Sequence, residues 1–104
     1  MHNPGRHDEY RQLTGRDRPV IDFLKGKGEI DPFVTGAVEL VAPTVERYIA
    51  RGFDSLQIGF GCTGGRHRSV YSADTAARAL AARFPDAVVE IHHREQNIHE
   101  FLNV

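Results

Sequence analysis

Apolar residues in the first half of the chain recur at steps of three and four. Ile30, Val34, Ala37, Val38, Val41, Val45, Tyr48 and Ile49 follow this spacing, which predicts an amphipathic helix from Asp31-Pro32 to about Arg51. Asp31 and Pro32 open it as a cap-plus-proline start, Gly52 is the expected stop, and Pro43, lacking an N–H, is expected to kink or split it. A shorter helix is predicted upstream, with Asp17 as N-cap, Pro19 in the first turn and Val20, Ile21, Phe23 and Leu24 as its apolar face. Gly26-Lys27-Gly28 ends that helix, and the polar residues 1–18 read as an extended loop. The period then changes. Leu56, Ile58 and Phe60 alternate with polar or small residues, which predicts a strand over 55–61. Helical spacing returns from Arg68 to Phe84, carried by Val70, Ala73, Ala76, Ala77, Leu80 and Ala81, and Pro85-Asp86 closes it. Residues 87–91 read as a last strand, and Ile98, Phe101 and Leu102 at helical spacing read as a packed end.

Strand, loop, helix and strand in that order imply a right-handed βαβ unit with parallel strands. The expected fold class is therefore α/β, a small, mostly parallel sheet within one domain spanning residues 1–104. Open α/β sheets bind ligands beyond the carboxyl ends of their strands, which places a pocket after residue 61. Two strands make a poor sheet, so another element or a partner subunit is expected to cover its edge.

Composition narrows the function classes. With 104 residues, 40% hydrophobic and 26% charged, the chain suits one soluble globular domain with a modest core. A net charge of −1 provides no global basic field for nucleic acid or membrane. No apolar run approaches a membrane span, no signal-peptide core is visible, and the single cysteine excludes an internal disulfide, so a cytoplasmic location is expected. Gly26 and Gly28 do not form a Walker A loop, and no cofactor is expected. His92, His93 and His99 lie close in sequence, but neighbouring histidines on a strand point to opposite faces, so no metal site is expected. Self-association is expected from the small sheet and the apolar tail.

The stretch from Gln57 to Tyr71 carries the candidate chemistry. An apolar strand passes through Gly59, Gly61, Gly64 and Gly65 into a helix that begins with basic and hydroxylated residues. Loop amides and a helix N-terminus aimed at one spot favour an anion. Thr63, Gly64, Gly65 and Ser69 offer amides or hydroxyls, while Arg66, His67 and Arg68 add side-chain donors suited to phosphate.

Cys62-Thr63-Gly64-Gly65-Arg66-His67-Arg68-Ser69-Val70-Tyr71 resembles the signature of the C-terminal domain of the RNase adaptor protein RapZ. Asn3-Pro4, Arg11, Leu13-Thr14-Gly15, Asp17 and Pro19-Val20 resemble that family's upstream block, and His93-Arg94 its last strand. The resemblance implies binding of glucosamine-6-phosphate and a regulatory RNA, with His7 and Arg11 supplying a second polar surface. For RNA it offers the local cluster Arg66, His67, Arg68, His93 and Arg94, whereas residues 95–104 contain no Lys or Arg. In the family a further strand precedes the Asn-Pro block, and two residues precede Asn3 here. The spacing of Cys62 and Arg68 also resembles the phosphate loop of cysteine-dependent phosphatases, in which a thiolate attacks phosphorus and the arginine binds its oxygens. On that alternative Asp8, Asp17 and Asp31 are the candidate general acids, and Gly61 replaces the usual histidine before the cysteine.

Overall fold

The computed structural model describes residues 1–52, 56–61 and 65–104. Three helices carry most of the core. Helix α1 spans Arg18–Lys27, α2 spans Ile30–Arg51 and α3 spans Arg68–Arg83. Their facing residues Val20, Leu24, Ile30, Val34, Val38, Tyr71, Ala76 and Leu80 form one buried cluster. Burying a side chain of the Val, Leu or Ile type contributes about 1.5–3 kcal/mol, so this cluster is the main source of stability.

The helix ends follow the local chemistry. Asp17 occupies the N-cap of α1, but its carboxylate accepts from the Thr14 amide (2.7 Å) and makes no cap bond to the helix. Gly28 and Gly52 close α1 and α2 in the left-handed conformation, each at φ 72°. Pro43 does not split α2, which runs unbroken through 22 residues, and Asp31 and Pro32 sit in its first turn after Glu29. The segment before α1 is not an extended loop. It forms two 3-10 turns, Pro4–Arg6 and Asp8–Tyr10, the first capped by the Asn3 side chain accepting from the Gly5 amide.

The expected mostly parallel sheet with a βαβ unit is overturned. Among the described residues the sheet has two antiparallel strands, β1 (Val89–His93) and β2 (Ile98–Leu102). Val89 pairs with Leu102, Ile91 with Glu100 and His93 with Ile98. The tail that read as a helical end is thus the second strand. Its five residues alternate half-buried and exposed from Ile98, a two-residue period that a short apolar tail shares with a helical spacing. The reversal comes at Arg94–Asn97, where the Asn97 amide donates to the Arg94 carbonyl and Asn97 takes φ 54°. Residues 56–61 form no strand, and Phe53, Asp54 and Ser55 lie outside the described residues. Local pairing with the next segment of chain satisfies β1 at low loop-closure cost, so a distant parallel partner is not needed.

The hairpin packs on α3 through β1. Ile91 and His93 are buried from β1, and just beyond β2 the Asn103 amide nitrogen lies within hydrogen-bond reach of the carbonyls of Ala81 (2.9 Å), Phe84 (3.2 Å) and Ala87 (3.0 Å). Those include carbonyls that the end of α3 leaves without helical partners. Among the described residues no helix is long and apolar enough to cross a membrane.

Candidate anion site at the start of helix α3

The first turn of α3 is where the N-terminal segment and the glycine-rich stretch meet. Gly15 makes this possible. Its amide donates to the Arg66 carbonyl at 3.0 Å, and a Cβ placed on it would fall well under 3.0 Å from the His67 carbonyl oxygen and the Tyr71 nitrogen. Only a residue without a side chain lets the 14–16 backbone lie this close to the helix.

Two of the expected ligand residues hold this junction together. The Arg66 Nη1 donates to the Arg11 carbonyl at 3.0 Å, and the His67 Nε2 lies 2.8 Å from the Tyr10 carbonyl. His67 is 5% exposed, so its ring is part of the packing between α3 and the second 3-10 turn. Arg11 in turn donates from Nε to the Gly5 carbonyl (3.2 Å) and pairs with Asp8 (2.7 Å). His7 packs edge-on to Tyr10 and tilted against Phe23 in a ring cluster, at centroid distances of 6.0 and 5.2 Å. Gly65 takes φ 59°, and its carbonyl accepts from the Gln96 side chain at 3.0 Å. Thr63 and Gly64 lie outside the described residues, as does Cys62, the nucleophile of the phosphatase alternative.

Arg68 differs from these. It is the first residue of α3, and its Nε is buried with no hydrogen-bond partner among the described residues. A buried donor left unpaired costs about 1–3 kcal/mol, more for a charged group, so an acceptor at this point would be strongly favoured. Arg68, Ser69 and Ser72 of α3 line a cavity of about 510 Å³ whose other walls are apolar, from α2 and residues 58–61. His67 at the N-cap makes no side-chain cap bond, and the first turn of α3 contains no acidic residue. The dipole of this helix end therefore adds to the arginine's charge.

His93 belongs to a second polar cluster. Its Nε2 lies 3.1 Å from Asp74 Oδ1 on α3. Arg16 Nη2 donates to the same Asp74 oxygen (2.9 Å) and to Glu100 on β2 (2.7 Å), and Arg78 lies 3.3 Å from Glu100. The Arg16 Nε sits 2.9 Å from Asp74 Oδ2 as an ion pair without hydrogen-bond alignment. Burial works against the Arg16 charge, but the hydrogen bonds it donates to Asp74 and Glu100 outweigh it and raise its pKa. The Arg16 hydrogen bond, aided by Arg78, holds the Glu100 carboxyl below its ordinary value. Arg94 is exposed on the turn that leaves β1.

Of the candidate general acids, Asp8 pairs with Arg11, Asp17 receives the Thr14 amide, and Asp31 accepts the Tyr71 hydroxyl beside Lys25. Burial and the Asp31 bond raise the Tyr71 pKa. Sequence reading missed Arg16, Asp74, Tyr10 and Gln96. Arg16 and Asp74 are 58 positions apart, and Tyr10 acts through its carbonyl, which carries no side-chain signature.

The chain matches the family described as RapZ C-terminal domain over residues 1–97. It belongs to that family. Similar proteins include nucleotide-binding proteins of Lactobacillus helveticus, 40% identical over 93 residues, and of Lactobacillus acidophilus, 39% identical over 93 residues. A third, from Paramagnetospirillum magneticum, is 39% identical over 93 residues. Each alignment covers 89% of this chain but 31%, 31% and 30% of those proteins, so the RapZ C-terminal domain here spans about a third of their length. No solved structure gives a significant match. The β2 strand, Ile98–Leu102, lies beyond the residues that match the family.

Proposed function

We propose that this domain binds a phosphorylated small molecule, of the amino-sugar phosphate class represented by glucosamine-6-phosphate, at the start of α3. The observation that carries the reading is the buried Nε of Arg68, without a hydrogen-bond partner among the described residues, at a helix start whose N-cap His67 makes no side-chain cap bond. A phosphate dianion would satisfy that donor at the positive end of the helix dipole, in a cavity of about 510 Å³, large enough for a small ligand. The relatives' name, nucleotide-binding protein, is compatible with the same phosphate chemistry. RNA recognition is narrower on this chain. Arg66 and His67 are engaged in holding the N-terminal segment and His93 in the Asp74 pair, which leaves Arg68 and Arg94 as the least engaged members of the basic cluster.

Calorimetric titration with glucosamine-6-phosphate, glucosamine and glucose-6-phosphate tests the reading. The phosphorylated sugars should bind and glucosamine should not. Arg68→Ala should weaken binding by about 1.5–3 kcal/mol, the scale of a hydrogen bond to a charged group, or roughly 10- to 150-fold in Kd. Cys62→Ser should leave affinity nearly unchanged. No binding of either sugar phosphate at millimolar concentration would refute the reading. Hydrolysis of an aryl phosphate that is lost in Cys62→Ser would replace it with a cysteine-dependent phosphatase.

A further inference from the structure

Ser72 brings a buried hydroxyl to the anion cavity. It is 3% exposed, it lines the cavity of about 510 Å³ together with Arg68, and among the described residues no other element sends it a hydrogen bond. It stands four residues after Arg68, which places the two on one face of α3, about 6 Å apart along the helix axis. Helix side chains lean toward the N-terminus, so the long arginine carries its guanidinium farther from this turn than the short serine carries its hydroxyl. One phosphate group therefore does not touch both. The other walls are apolar, with Phe33, Leu40 and Val41 from α2, and Phe60.

An alanine at position 72 would favour the helix more and would bring no polar group to an apolar cavity. The serine instead adds a donor and an acceptor at a set distance from the cation. A ligand that uses both carries a phosphate at one end and a hydroxyl a few bonds away, on a body that lies against Phe33 and Phe60. We propose that Ser72 is a specificity-determining residue of this cavity, bonding a hydroxyl on the body of the ligand while Arg68 holds its phosphate. The class it favours is the hydroxylated phosphate ester, of which a hexose phosphate is an example. A sugar ring suits the two-sided cavity, with its C–H groups on the apolar wall and a hydroxyl turned to α3. An alkyl phosphate of similar length gains the wall and the arginine but nothing from Ser72. The proposal rests on the anion reading of Arg68 and adds to it the choice among phosphate esters.

Calorimetric titration of the 104-residue chain with glucose-6-phosphate and with hexyl phosphate tests it. Ser72→Ala should weaken glucose-6-phosphate by roughly 3- to 10-fold, the scale of one neutral hydrogen bond, and change hexyl phosphate by less than about twofold. Arg68→Ala should weaken both esters, because each presents the same phosphate. Circular dichroism of Ser72→Ala should match the wild type, since alanine is the stronger helix former. Equal losses for the two esters in Ser72→Ala, or no loss for either, would overturn the role of Ser72. If Arg68→Ala still weakened both, the anion reading would stand without it. Failure of both esters to bind the wild type at millimolar concentration would overturn the two together.

Discussion

Gly15→Ala is the sharpest test of how the N-terminal segment is held on α3. The added methyl would meet two backbone atoms, the His67 carbonyl oxygen and the Tyr71 nitrogen, with the Tyr71 Cα at 3.0 Å behind them. None of the three can swing aside as a side-chain end could, so the 14–16 segment must retreat. Retreat breaks the 3.0 Å bond from the Gly15 amide to the Arg66 carbonyl and strains the 3.0 Å Arg66–Arg11 and 2.8 Å His67–Tyr10 contacts. Overpacking costs about 1–3 kcal/mol and one lost hydrogen bond about 0.5–1.5, so the expected loss is about 2–4 kcal/mol. For a domain of this size that lowers Tm by of the order of 10–25 °C. Gly26→Ala and Gly36→Ala are the matched controls. Both lie inside helices with nothing within 4 Å of a built Cβ, so each should stabilise by about 0.5–1 kcal/mol. Urea unfolding of the three variants is the assay. A Gly15→Ala protein within about 0.5 kcal/mol of wild type would refute the close-packed junction, since that is the range of an inert surface change.

Two further predictions concern the C-terminal hairpin. Glu100, held below its ordinary value of 4.5 chiefly by Arg16, contributes stability that is complete above that value and is lost as pH falls through the lower folded one. The urea midpoint of the wild type should therefore drop more steeply below about pH 4.5 than that of Glu100→Gln; parallel acid profiles would show that the Arg16–Glu100 contact is not stabilising. Asn103→Ala removes the donor that reaches the carbonyls of Ala81, Phe84 and Ala87, and should cost about 1–3 kcal/mol. Amide exchange should then rise selectively in β2, and uniform protection in the variant would count against this anchor.

The three helices were legible because each element's information is local. Repeated apolar steps, Asp17-Arg18-Pro19 at one start and glycines at two ends are decided within a few residues of where they act. The position of Arg68 at the head of α3 was legible for the same reason. Strand pairing was not, because alternation marks a segment as able to pair without naming its partner. Residues 56–61 alternate and yet pair with nothing in the described chain, while Ile98–Leu102, with apolar residues at helical spacing, is a strand that pairs with β1. The division of labour among the basic residues was also out of reach. Arg66, His67 and Arg68 are equivalent donors in sequence, but the closeness permitted by Gly15 brings Arg66 and His67 onto the carbonyls of Arg11 and Tyr10, while the Nε of Arg68 has no partner among the described residues. Which donor remains for a ligand depends on where a distant backbone carbonyl lies, and that is settled only when the chain has folded.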